Sequence, residues 1–401
     1  MWLKLITMKR LIYSFFISVA ALSVFGQQDN SPQNLASTLI SNTAQKLNIG
    51  GYAQVDMTSQ LQSGKRSNAS LDVSRMVISM GYRFSDKTQF LTEVEFEHVK
   101  ELYVEQAFLN HTFNDALSFR AGLMLIPMGI INEYHEPTAF NGVLRPMVDN
   151  TIVPTTWREI GAGFTGRFQD IGLKYQVYLV NGFSSYGSDG KGTLNGSGYL
   201  RNGRQRGAKS FLSAPNLSAK LDYFGIMGLK IGLAGYFGDT QSALFNNLDK
   251  SDGALTARAD SSIVGIAMVG LDARYSWKGF QARGQIIYAK QSNSSAYNSF
   301  THGDLGSAVT GYYIEESYNA FRLTSSSHQL NVFCRFEHYD THLEVEPGTS
   351  RQDKFSVNEY VFGLGWKPAE GAVFKVDARM RKSKADSSFT TYLNAGIGVW
   401  F

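Results

Sequence analysis

Glu93, Glu95 and Glu97 recur at every second residue of a stretch that otherwise reads Leu, Thr, Val and Phe. In extended backbone that spacing lines all three carboxylates along one face. Paired carboxylates can cleave glycosidic bonds, one as acid and the other as base or nucleophile. No cleft motif accompanies these three, so the reading adopted is a solvated wall that shapes an electric field. A second set comprises Glu133, His135, Glu136, Arg145 and Asp149, with Arg158 and Glu159 just beyond. It occupies the stretch 127–157, which holds Pro127, Pro137, Pro146 and Pro154, half of the eight prolines in the chain. A third set is basic: Arg201, Arg204, Arg206 and Lys209 stand within 183–216.

Other chemistries lack their signatures. The sequence has no Gly-x-Ser-x-Gly elbow, no phosphate-cradling Gly-rich loop ending in Lys-Ser/Thr and no His-Glu-x-x-His. The seven histidines show no metal-ligand spacing. The single Cys334 cannot form an internal disulfide or a Cys-x-x-Cys site. A net charge of +4 is too small to argue for nucleic acid. The expectation is a non-enzyme without metal or cofactor.

The elements that must position these groups are strands. Period-two alternation marks sixteen of them, near 47–58, 70–84, 88–98, 102–113, 117–126, 158–168, 171–182 and 217–223, then 229–238, 262–277, 280–290, 308–319, 328–339, 357–367, 372–382 and 389–401. In the first, Leu47, Ile49, Ala53, Val55 and Met57 oppose Asn48, Tyr52, Gln54 and Asp56. In the fifteenth, Phe374, Val376, Ala378 and Met380 oppose Lys375, Asp377, Arg379 and Arg381. A water-filled lumen accommodates such a charge ladder, whereas the face of a soluble sandwich would not. The face assignment of the fourth strand is ambiguous. Connections alternate between short turns (85–87, 114–116, 169–170, 278–279, 368–371) and mostly longer loops (59–69, 127–157, 183–216, 239–261, 291–307, 340–356). Alternating short and long connections are those of a transmembrane barrel with periplasmic turns and extracellular loops. The 39 glycines and 13% aromatics agree, and no long apolar run follows Gly26.

Both ends point the same way. Lys4, Lys9 and Arg10 precede an apolar run from Leu11 to Phe25, with Gly26 at its boundary, the three parts of a signal peptide spanning 1–26. Residues 27–46 form a short periplasmic segment, either a loose tail or a docked helix begun at Ser31-Pro32. The last strand ends on Phe401, with Leu393, Ala395, Ile397 and Val399 on the same face. That ending resembles the signal by which bacterial outer-membrane proteins engage the barrel-assembly machinery.

At the fifth strand the sequence becomes recognisable. Arg120-Ala121-Gly122-Leu123-Met124-Leu125-Ile126-Pro127-Met128-Gly129 resembles the strand-to-loop signature of the phosphate-selective porin O and P family. Glu136–Pro146, Pro154–Gly161, Tyr178–Gly182 and Leu200–Gly207 are similar to members of the same superfamily. The resemblance implies a sixteen-stranded homotrimeric barrel whose third extracellular loop folds into the pore. Where members place a lysine two residues before the signature proline, this chain has Leu125, so architecture carries over and phosphate selectivity does not.

The sequence therefore predicts an all-β, antiparallel transmembrane barrel over 47–401 in the outer membrane of a Gram-negative bacterium. Its expected role is passive diffusion of small hydrophilic solutes with mild anion preference, through a lumen constricted by 127–157. Alternatives are a plugged barrel serving as a structural subunit of an envelope complex and, third, an outer-membrane hydrolase. Predicted lumen-lining residues are Arg75, Arg83, Glu93, Glu95, Glu97, Arg120, Lys174, Lys375, Arg379 and Arg381. The basic loop would gather anions or meet the phosphates of lipopolysaccharide.

Overall fold

A computed structural model describes residues 34–41, 44–61 and 67–401. The expected signal peptide and the Ser31-Pro32 helix start lie outside the described residues. Sixteen strands form one closed antiparallel barrel. They are β1 Leu47–Leu61, β2 Ser70–Arg83, β3 Thr88–Glu97, β4 Glu101–Asn114, β5 Leu117–Leu125 and β6 Arg158–Phe168. Next come β7 Leu173–Val180, β8 Asn216–Ile226, β9 Leu229–Asp239, β10 Gly265–Trp277 and β11 Phe280–Ser292. β12 Ala308–Asn319, β13 Gln329–Glu344, β14 Ser356–Ala369, β15 Ala372–Ser383 and β16 Thr390–Trp400 complete the wall. Each strand pairs with its sequence neighbours, and β16 returns to β1 with Tyr52 opposite Trp400. Gly51 and Phe401 exchange two backbone hydrogen bonds of 2.9 Å at that seam, so the wall has no free edge.

Alternation sets the two faces. On β1, Asn48, Gln54 and Asp56 are buried inside the wall while Ile49 and Val55 are exposed outside. On β15, Lys375 and Asp377 are buried and Phe374 and Val376 exposed. Phe84, Phe113, Phe168, Trp277, Trp366 and Phe401 stay exposed beside the short turns. They form the aromatic girdle of a lipid-facing belt. No helix among the described residues is long and apolar enough to cross a membrane.

The differences from expectation are local. β7 stops at Val180 because Gly182 turns away at φ 79°. The ambiguous fourth strand carries a bulge: Glu93 pairs with Gln106 but Val94 pairs with Val104. The extra residue turns both Glu105 and Gln106 to the buried face, which is what breaks the alternation there. The N-terminal segment is a docked helix, α1 (Leu35–Ser41), begun by Asn34, whose Oδ1 accepts from the Ser37 amide at 2.8 Å. Leu35 and Leu39 are buried against Gly50 and Gly81, where the missing side chains make room for them. Two longer loops contain helices that the periodicity did not reveal, Gly253–Ser261 and Ser294–Thr301.

Candidate functional site

Residues 126–157 run inside the barrel. Ile126, Met128, Ile130, Ile131, Val148, Ile152 and Val153 are almost wholly buried and form the spine of the loop. Its stem is locked by Trp157, whose ring lies 4.8 Å from Phe183 and 4.6 Å from Tyr236 and whose Nε1 donates to Glu159 at 2.8 Å. Asn132 bridges the two ends, donating to the carbonyls of Ile126 and Trp157 and accepting from the Trp157 amide.

A buried loop must satisfy its own backbone, and here wall side chains do so. Lys220 Nζ donates to the Gly129 carbonyl at 2.7 Å, and Lys375 Nζ to those of Phe140 and Gly142 at 2.6 and 2.9 Å. Arg283 donates to Ala139, while Asp377 and Glu337 accept from the amides of Val143 and Val148. These groups hold the loop in place. Arg379 and Arg381 face Glu359 at 3.8 and 3.5 Å. Arg120 lies over the Phe108 ring, Lys174 sits opposite Asp222, and Arg83 stands 3.8 Å from Asp86 at a short turn.

The loop charges fall into separate groups. Glu133 contacts Lys220 at 3.4 Å and Gln176 at 2.8 Å. Asp149 accepts from Gln285 at 2.9 Å, and burial pushes its carboxyl up to about 7. Glu159 is enclosed by Trp157, Tyr236 and the Gly182 amide. Glu136 accepts from the Leu35 amide at 2.7 Å, and Asn34 donates to the Glu133 carbonyl, so α1 closes the loop from its own side. Tyr52, Glu93, Glu105 and His135 meet at one level and are at most 2% exposed.

Beyond that level lies a cavity of ≈ 240 Å³ between the loop, the β1–β3 wall and the segment 181–215. Its lining carries Arg75, Arg145, Arg158, Arg201, Arg204 and Arg206 against Asp56, Glu95 and Glu97. Arg75 pairs with Glu95 at 3.6 Å. Arg145 donates to the His135 carbonyl. Arg201 donates to the Thr155 carbonyl at 2.9 Å and Arg204 to that of Pro154 at 3.0 Å, folding this second loop onto the first. Arg206 lies 5.4 Å over the Tyr103 ring. Burial, then Arg201 and Arg206, push the Arg204 guanidinium down, as expected of crowded cations. Lys209 alone of the basic set is exposed. The structure thus brings three of the four loop cations to Arg75, Arg145 and Arg158, although the sequence analysis treated them as separate features. It also adds Glu105, which the bulge had hidden from period-two reading.

No protein-family model matches the chain. An uncharacterised protein of Aquifex aeolicus is 27% identical over 359 residues, spanning 85% of this chain and 77% of that protein. Among solved structures, an anion-selective porin from Comamonas acidovorans matches with a TM-score of 0.56 at 12% identity, over 88% of this chain and 99% of that one. The outer-membrane channel DcaP of Acinetobacter baumannii matches with 0.56 at 11%, over 88% and 97%. A trimer form of OmpT, an outer-membrane protein of Vibrio cholerae, matches with 0.54 at 9%, over 88% and 99%. The chain shares the fold of these solved outer-membrane proteins, a closed barrel of sixteen antiparallel strands.

Proposed function

We propose that this barrel is a passive porin for small hydrophilic solutes, with a preference for anions set at the vestibule above the inserted loop. The single observation that carries the reading is the meeting of six arginines with three carboxylates around one cavity. Such a ring selects by charge at the narrow part of a pore. The basic segment 201–206 serves this ring, so its main role is internal to the mouth, and Lys209 remains to meet lipopolysaccharide phosphates. The phosphate-selective family is not adopted as the substrate class: Leu125 is a buried apolar residue opposite Arg158 on the neighbouring strand. A homotrimer is the proposed assembly, supported by the trimer form among the structural neighbours.

The plugged barrel is the second reading, and one observation favours it: α1 and the loop together leave Tyr52, Glu105 and His135 almost inaccessible. Reconstitution in a planar bilayer separates the two. Discrete conductance steps with an anion-sided reversal potential are expected of the porin; correctly folded, inserted protein without steps would establish the plug instead.

A further inference from the structure

Glu93, Glu105 and His135 offer ligand atoms that all lie within 4.8 Å of one another, each residue at most 2% exposed. They come from β3, from the β4 bulge and from the inserted loop, which is why no spacing along the chain announces them. We propose that these three residues form a binding site for a divalent transition cation, which fastens the loop to the barrel wall.

The tautomer of His135 carries the argument. Its Nδ1 faces the Asn132 carbonyl at 3.1 Å, a partner that can only accept, so Nδ1 bears the proton. Nε2 faces Glu105 Oε2 at 3.3 Å, an ion pair when the ring is protonated, yet the contact lacks hydrogen-bond geometry and leaves Nε2 without a hydrogen-bond partner. A lone pair facing a buried carboxylate is repulsive unless a cation stands between them. Glu105 Oε1 is also unpartnered. The supports are those expected behind metal ligands, where hydrogen bonds orient each donor. Tyr52 donates to Glu105 at 3.1 Å, and Gln106 donates to Glu93 at 2.6 Å. The bulge explains the pairing: by turning two adjacent residues inward it supplies one ligand, Glu105, and the residue that holds another, Gln106.

One imidazole and two carboxylates suit Zn²⁺ or Mn²⁺. At metal–ligand distances of roughly 2.0–2.2 Å tetrahedral donors stand roughly 3.4 Å apart, so a pair separated by as much as 4.8 Å would close by up to about 1.4 Å, within the reach of glutamate side chains. The site is independent of solute choice, since it acts on the position of the loop.

The test uses the full chain in detergent, stripped with a chelator, then equilibrated with Zn²⁺ or Mn²⁺ and washed. Elemental analysis should find one ion per chain in the wild type. His135→Gln and Glu105→Gln should lower the affinity by at least about 100-fold, and Gln106→Ala by about 10-fold. His98→Gln, at an exposed histidine outside the cluster, should leave it unchanged. Heat-modifiable gel mobility confirms that each variant is a closed barrel. Wild type retaining no stoichiometric ion overturns the proposal without recourse to any variant, and so does equal retention by folded His135→Gln. In the first case the cation between Nε2 and Glu105 is a proton.

Discussion

Arg206→Glu is the substitution that most directly tests the vestibule. Arg201 and Arg204 hold backbone carbonyls of the inserted loop, whereas Arg206 lies over an aromatic face and can change sign with less structural damage. The six arginines and three carboxylates of the lining carry a net of three positive charges, and the substitution reduces this to one. A cavity of ≈ 240 Å³ has a radius of about 4 Å, which places each guanidinium roughly 7 Å from an ion at its centre. At that distance, in water-like dielectric with a Debye length of about 8 Å, one charge is worth about 0.25 kcal/mol. Three charges lower a monovalent anion by about 0.75 kcal/mol and raise a cation by as much, a preference of about tenfold. After Arg206→Glu the same arithmetic leaves about twofold. In 1 M salt, where the Debye length is about 3 Å, even the wild type should fall below about twofold. Reversal potentials across a salt gradient at low and high mean ionic strength measure all three values. A cation-selective wild type, or an Arg206→Glu pore with unchanged selectivity at low salt, would refute the assignment of this ring as the selecting element.

Trp157→Ala should cost about 3–5 kcal/mol by emptying a fully buried aromatic cluster at the stem of the loop, seen as a lower unfolding temperature in detergent and a larger, noisier conductance. Asp149 has its carboxyl raised to about 7, so its charge burdens the folded state above that pH and the burden eases as pH falls toward the unfolded value. Asp149→Asn should therefore raise the melting temperature more at pH 8 than at pH 5; an equal gain at both values would show that the carboxyl is not perturbed. For orientation, Lys209→Cys and Lys250→Cys in a Cys334→Ser background should react with an impermeant thiol reagent on intact cells, while Lys278→Cys and Glu370→Cys should not. Equal labelling of both pairs would invert the barrel.

Much of the wall was legible because its cause is local. A strand between lipid and water must alternate, and residues such as Ile49 and Val55 against Gln54 and Asp56 show that alternation within a few positions. Glycines and polar residues at the turns punctuate it, so strand number and loop parity followed from the sequence. The charged ladder of β3 was placed on the inner face for the same reason. Strand ends drifted by a few residues, and the helix in 253–261 was missed because its Asp252 cap sits in a loop without apolar periodicity.

The candidate site was legible as residue types but not as an arrangement. Lys375 reads from its strand as a free lumen cation, yet it is spent on loop carbonyls 233 and 235 positions away. Arg204 reads as surface charge, yet it bonds to Pro154, 50 positions earlier. Glu105 and Gln106 read as one residue in and one out, until the bulge turned both inward. Alternation and turn chemistry depend on neighbours in sequence, and these the chain determined by itself. The path of the inserted loop, the ring of arginines and the Glu93–Glu105–His135 cluster depend on which distant groups the closed wall brings within hydrogen-bonding reach. Only the tertiary structure decided them, because buried backbone and buried charge take whatever partner the fold supplies.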